Sequence, residues 1–167
     1  MKKIIGMMLM LAILCMGCGK ENSDQLPEHI TMEEAKKLDM VVIDHQKDPV
    51  EFVNGEEQWK EFLQQTSEKQ PASITIADFY EDSSVKRLEY DGSQYKVSWR
   101  EQGKVETREY PFLIEREGKY KNAAATTHGF YLTHVEGLTY DELFYSMISS
   151  QMEDCIDFFT IYSESVQ

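Results

Sequence analysis

Pro71 marks a change of hydrophobic period, and that change constrains the fold more than any other feature of the chain. Before it, Trp59, Phe62, Leu63 and Thr66 recur at three-and-four spacing, one apolar stripe on a polar body, as an amphipathic helix requires. After it, Ile74 and Ile76 alternate with Thr75 and Ala77, and the predicted strand runs towards Tyr80. Residues 85–90, Asp91-Gly92 and residues 93–100 then read as a hairpin, because Asp-Gly suits a two-residue turn whose central positions take positive φ. Counting outward from that turn pairs Leu88 with Tyr95. It places Tyr95, Val97 and Trp99 on one face and Lys96, Ser98 and Arg100 on the other. A three-residue loop at Glu101-Gln102-Gly103 would set Val105 opposite Trp99, with Trp99 in the core at the centre of the sheet, beneath the Trp59 stripe. Residues 112–116 and 130–135 supply two more strands, punctuated by Gly118 and Gly137.

Helix starts are marked by capping patterns. Thr31 with Glu34, Asn54 with Glu57 and Thr139 with Glu142 each place an oxygen-bearing cap three residues before an acid. Residues 40–43 form a brief apolar strand, broken by Lys47-Asp48-Pro49. Beyond Thr139 the positions Tyr140, Leu143, Phe144, Met147, Ile148, Met152, Cys155, Ile156 and Phe159 lie on one helical stripe, predicting a helix to about Gln151 or beyond. Residues 156–162 are equally rich in β-formers, so an edge strand is the alternative for residues 152–162. The pattern as a whole predicts a single α+β domain over residues 30–167, an antiparallel β-meander sheet with two or three helices packed on one face.

Location is written at the N-terminus. Lys2 and Lys3 precede an unbroken apolar run over residues 4–16, followed by Gly17-Cys18. A positive start, a short apolar stretch and a small residue before the cut make a secretory signal, and the run is shorter than the roughly 20 residues a crossing helix needs. A Cys directly after the cut identifies a bacterial lipoprotein signal peptide over residues 1–17, with a diacylglyceryl group and further acyl chain (palmitate or a similar lipid) attached at Cys18. Cys15 stands where Leu is usual three positions before the cut; an uncleaved anchor and plain secretion are the alternatives. Residues 18–29 are polar and without period, a flexible membrane tether. The expected location is the cell membrane, lipid-anchored and facing outside the cytoplasm.

Charge narrows the partners. Loss of residues 1–17 removes two lysines and no acids, leaving 15 basic against 30 acidic side chains. Such a domain is repelled by nucleic acid and by anionic headgroups, so membrane attachment is expected through the lipid on Cys18 and no nucleic acid is expected as a partner. Cys155 would be the only thiol left in the folded part, expected as a buried small hydrophobe rather than a reactive nucleophile.

The strings Val41-Val42-Ile43, Trp59 with Phe62 and Leu63, Ser73-Ile74-Thr75-Ile76, Leu88-Glu89-Tyr90-Asp91-Gly92 and Tyr131-Leu132-Thr133 resemble a family of small bacterial lipoproteins of Gram-positive type that carry a domain of unknown function. The resemblance spans Ala35 to about Gly137. It implies an extracytoplasmic location and this fold, and it supplies no catalytic residues. Many members carry two cysteines in the later strands; one would fall around Val135, and none is present here.

Catalytic chemistry has no motif to rest on. There is no Gly-x-Ser-x-Gly elbow around Ser98 or Ser146, and no phosphate-cradling glycine loop. His128 and His134 share a strand face but stand about 20 Å apart, too far for one ion. Glu153, Asp154 and Asp157, and Glu81 with Asp82, lack the alternating loop that wraps calcium. No catalytic, cofactor-binding or metal residue is assigned, and no cofactor is expected. Tyr80, Tyr90, Tyr95, Trp99, Tyr110, Tyr120, Phe130 and Tyr131 are concentrated in the sheet, and the adjacent Phe130 and Tyr131 must point to opposite sides. Outward aromatics suit a non-catalytic binding or interaction module of the cell envelope, with an envelope protein, peptide or cell-wall component as partner. An extracytoplasmic hydrolase or metal-dependent enzyme is the alternative. A cleft where a His and two acids converge would favour the enzyme; helices on one sheet face and a flat aromatic patch on the other would favour the module.

Overall fold

The computed structural model describes residues 26–81, 83–121, 123–149 and 155–166. The expected signal peptide, Cys18 and most of the tether therefore lie outside the described residues, as do Asp82 and residues 150–154, which include Met152, Glu153 and Asp154. The chain is α+β, with mostly antiparallel sheets. In order it forms α1 (Met32–Lys37), β1 (Val41–Asp44), β2 (Glu51–Asn54), α2 (Glu56–Ser67), β3 (Ala72–Phe79), β4 (Ser83–Tyr90), β5 (Tyr95–Glu101), β6 (Lys104–Tyr110), β7 (Phe112–Gly118), β8 (Thr126–Thr133), α3 (Tyr140–Ile148) and β9 (Phe158–Val166).

The meander is real but is one part of a larger arrangement. Strands β3 to β6 follow one another antiparallel, while β1 adds parallel to β3 and β2 closes that edge, giving the order β2-β1-β3-β4-β5-β6. Strands β7, β8 and β9 form a second sheet. Parallel pairing of β1 with β3 follows from α2, which carries the chain back along the sheet before β3 begins. Residues Val41, Val42 and Ile43 are all buried because both faces of β1 are covered.

That double cover redistributes the helices, which do not share one face. Val41, Ile43, Ile74, Ile76, Leu88 and Val97 pack with Trp59 and Phe62 of α2 and with Phe130, Leu132 and Ile161 of the second sheet. Val42, Ala77 and Val85 point the other way, to Ala35 of α1 and to Leu26 and Ile30. The outer face of the second sheet is closed in turn by Leu143 of α3, against Ile114, Tyr131 and Leu138. Phe130 and Tyr131 do point to opposite sides, yet both are buried, since each side has its own cover. Leu26 is 2% exposed, so the packed body reaches into the segment expected to be tether.

Capping went as the sequence indicates at two helices and differently at the third. Thr31 and Thr139 each accept from the backbone of Glu34 and Glu142, whose carboxylates bond back, both full capping boxes. At α2 the cap is Gly55 with φ +77°, where an added Cβ would lie 2.9 Å from Val41 Cα. The side chain of Asn54 instead donates to Met40 O at 2.8 Å, tying β2 to the start of β1.

The two turns of the meander have lengths other than expected. Tyr90 pairs with Tyr95 and Leu88 with Val97, so the Asp-Gly loop holds four residues. Asp91 Oδ1 accepts from Ser93 N at 2.7 Å and Gln94 N at 2.8 Å, a side-chain turn that needs the two extra positions. The slip is two residues, so every side chain keeps its face. At the next turn Glu101 pairs with Lys104 across Gln102 and Gly103, both at positive φ. This is the two-residue turn, and the slip is one: Trp99 faces Glu106, and Val105 lies opposite Arg100 on the other face. Trp99 is half-buried, at 5.0 Å from the Phe159 ring with the Arg108 guanidinium 5.5 Å above it. It is not beneath Trp59, whose ring meets Phe130 edge-on at 5.1 Å.

At the C-terminus the edge strand prevails over the longer helix. α3 stops at Ile148 with an extended cap at Ser149, and Phe158 to Val166 pair with β8. Ser146 Oγ accepts from Ile156 N at 2.7 Å and donates to Ile156 O at 3.2 Å, which fixes the return of the chain. Cys155, expected on a buried stripe, is exposed.

Candidate functional site

The core face of β3 reads Ile74, Ile76, Asp78, and that of β4 reads Tyr90, Leu88, Lys86. An acid and a base thus take the positions where alternation calls for apolar side chains, at the end of the core between the two sheets. His45, just past β1, joins them: its backbone N–H donates to Phe79 O at 2.9 Å and continues the parallel pairing. His45 Nε2 stands 3.3 Å from Asp78 Oδ1, and Lys86 Nζ contacts Asp78 Oδ2. The side chains of Asp78 and His45 are 2% and 3% exposed, and that of Lys86 is 11% exposed.

Burial by itself would raise the Asp78 carboxyl. The Lys86 charge, with hydrogen bonds from His45 and Lys86, outweighs it and holds the carboxyl below its ordinary value. Asp78 is therefore a carboxylate, and the cluster is a carboxylate–ammonium pair steadied by an imidazole.

Beside the pair lies a cavity of about 230 Å³, lined by Tyr80, Trp99, Phe159 and Tyr162 as well as by Asp78 and Lys86. Tyr80 stacks on His45 with ring centres 4.0 Å apart and planes 9° apart, and is half exposed. Its phenol bonds the Ser163 side chain, and its ionisation is pushed up by burial and by the Asp78 charge. Tyr162 bonds Glu164, and burial raises its phenol strongly. Both phenols therefore stay neutral hydrogen-bonding groups at physiological pH.

No family model, curated protein or solved structure matches the chain. The site is read from its own chemistry.

Of the residues singled out from sequence, Tyr80 and Trp99 line this cavity, while the described histidines, serines and acids named with them do not assemble there. His128 has two carboxylates, Glu115 at 2.7 Å from Nε2 and Glu164 at 3.4 Å from Nδ1. Each ring nitrogen is occupied by its own acid, so the three groups bracket the imidazole rather than converge on a shared point. Burial would lower the imidazole's value, but the two carboxylates outweigh it and raise it. His134 is exposed, 3.5 Å from Asp157 and beside the Tyr110 ring. Among the described residues no group of three His, Cys, Asp or Glu is placed to hold a metal ion. Ser98 pairs with Thr107 across the sheet at 3.0 Å, and Ser146 is spent on Ile156, so both hydroxyls have structural duties.

Sequence reasoning passed over Asp78, Lys86 and His45. A signal was present: Asp78 interrupts the run Ile74, Ile76 at an inward position, and an ionised group there demands a partner. His45, outside any regular element, carried none.

Proposed function

We propose that this chain is a membrane-anchored extracytoplasmic lipoprotein whose folded body is a non-catalytic binding module of the cell envelope. The observation that carries it is the N-terminal string: Lys2-Lys3, the apolar residues 4–16, and Gly17-Cys18. The strong acidic excess argues against nucleic acid and anionic lipid as partners, leaving an envelope protein, a peptide or a cell-wall component. Among the described residues no helix is long and apolar enough to cross a membrane. The resemblance to small bacterial lipoproteins agrees with this location. Binding rather than catalysis is favoured because, among the described residues, no serine, threonine or cysteine side chain hydrogen-bonds His45, so the Asp78–His45 pair faces no nucleophile.

The test is Cys18→Ser in the native membrane system, followed by labelling with a radioactive fatty acid and by detergent phase partition. The thiol is the acyl acceptor that must be modified before cleavage. The variant should take up no label and accumulate as uncleaved precursor. A variant cleaved and anchored like the wild type removes the basis of the proposal.

A further inference from the structure

The cavity beside Asp78 and Lys86 has features that select a ligand class. Its volume of about 230 Å³ lies just below the range of drug-sized ligand pockets and suits a single six-membered ring with its substituents. Its walls are largely aromatic, Tyr80, Trp99, Phe159 and Tyr162, and its polar lining is the buried Asp78–Lys86 pair with Ser84 and Thr160. An ammonium has three protons, and Asp78 engages one of them. A carboxylate has about four lone-pair sites, of which His45 and Lys86 engage two. Spare donors and spare acceptors therefore stand side by side in the lining of a largely aromatic cavity.

Three chemistries can be compared there. An anion would meet Lys86 but also the Asp78 carboxylate in contact with it, within a strongly acidic protein. A cation faces the reverse conflict with Lys86. A zwitterion could match both charges, but two further charges would have to be stripped of water beside two already buried, the costliest desolvation of the three. A neutral hydroxyl both donates and accepts, so adjacent hydroxyls satisfy Asp78 and Lys86 together at a much smaller desolvation cost. The C–H face of a sugar ring then lies against the aromatic wall.

We propose that this cavity is a binding site for a neutral polyhydroxylated ring, a pyranose sugar or a sugar unit of a larger glycan. Adjacent hydroxyls bond Asp78 and Lys86, and the ring face lies on Tyr80 and Trp99. The inference deepens the binding-module reading and rests on it, though not on the lipid anchor.

The full chain in detergent micelles is titrated with D-glucose and with N-acetyl-D-glucosamine, and tryptophan emission is followed. Of the two tryptophans, Trp59 is in the core and Trp99 lines the cavity, so Trp99 reports. A ring of about a dozen non-hydrogen atoms at ordinary ligand efficiency should bind with Kd on the order of 1 mM. The double variant Asp78→Asn, Lys86→Met removes the charges together and should stay folded while losing at least about tenfold in affinity. Tyr80→Ala, which also removes the stack on His45, should weaken binding severalfold in a protein that remains folded. Saturable binding of either sugar that is lost in the folded double variant supports the proposal. Equal binding by wild type and double variant overturns it. A response to glycine or inorganic phosphate without one to the sugars overturns the ligand class and leaves the module; no response to any of the four overturns the site. Failure of the Cys18→Ser test leaves all these outcomes unchanged.

Discussion

Removing Lys86 should be among the most damaging single changes this fold can take, although Lys is an ordinary surface residue elsewhere. Lys86→Met deletes the charge that compensates Asp78, whose side chain is 2% exposed and keeps only His45 at 3.3 Å. Breaking a buried pair by removing one partner costs about 3–5 kcal/mol, set by the charge left behind. A domain of this size has about 5–15 kcal/mol in all. Asp78→Asn is gentler: the amide can still bond His45, and Lys86, on a flexible stem and 11% exposed, can reach towards water. We expect about 1–3 kcal/mol there. The double variant Asp78→Asn, Lys86→Met leaves no uncompensated charge and should be more stable than Lys86→Met alone. Urea denaturation of the four proteins gives a double-mutant cycle, with a coupling of about 1–3 kcal/mol expected. The pH dependence is a second reading. Asp78 has its folded value below the unfolded value of about 3.9. Its stabilisation is thus fully present above that value and is lost as pH falls through the depressed folded value. The double variant should lack this part of the acid limb. Additive single-variant costs, or an unchanged acid limb, would show that the pair is not the buried, coupled unit described here.

Three further outcomes follow from the packing. Trp59→Ala, in the core, should cost about 3–5 kcal/mol and Trp99→Ala, partly buried at the core's edge, about 1–3 kcal/mol; equal midpoints in urea would place Trp99 in the core after all. His128 is held above its ordinary value by Glu115 and Glu164, so its stabilisation is complete below about pH 6.5 and is lost as pH rises through the folded value. His128→Gln should flatten the stability profile in that range, and a profile identical to wild type would refute the pairing. Cys155 is exposed and should react with an aqueous maleimide in the folded protein, while the thermal midpoint stays insensitive to reductant; a thiol that reacts only on unfolding would restore the buried assignment.

The hairpin shows how much of the fold a sequence can carry. Period-two alternation in residues 85–100 assigned faces correctly, because an error of two residues in loop length leaves each side chain on its own side. Loop length itself depended on Asp91, whose carboxylate captures Ser93 N and Gln94 N and makes a four-residue turn preferable to the two-residue one. One residue of error at Gln102-Gly103 was enough to put Val105 on the wrong face. The candidate site was less legible still. Asp78 as an inward acid is visible in the pattern, but its partners come from β4 and from a position just past β1, brought together only by the pairing of three strands.

What the sequence by itself determined were the properties that local chemistry decides. These are the capping boxes at Thr31 and Thr139, the Trp59, Phe62 and Thr66 stripe, and the alternation that commits the middle of the chain to antiparallel strands. Each is settled within a few residues, where hydrogen bonds and side-chain period leave one low-energy choice. The tertiary structure decided the rest: the division into two sheets, the helices on separate faces, β9 as a strand, and the joining of His45, Asp78 and Lys86 beside an aromatic cavity. Residues 156–162 were ambiguous because an apolar run rich in β-formers fits a helix stripe or a strand equally well. β7 takes only one edge of β8, and pairing on the other edge resolves the choice through long-range hydrogen bonds that no local pattern encodes.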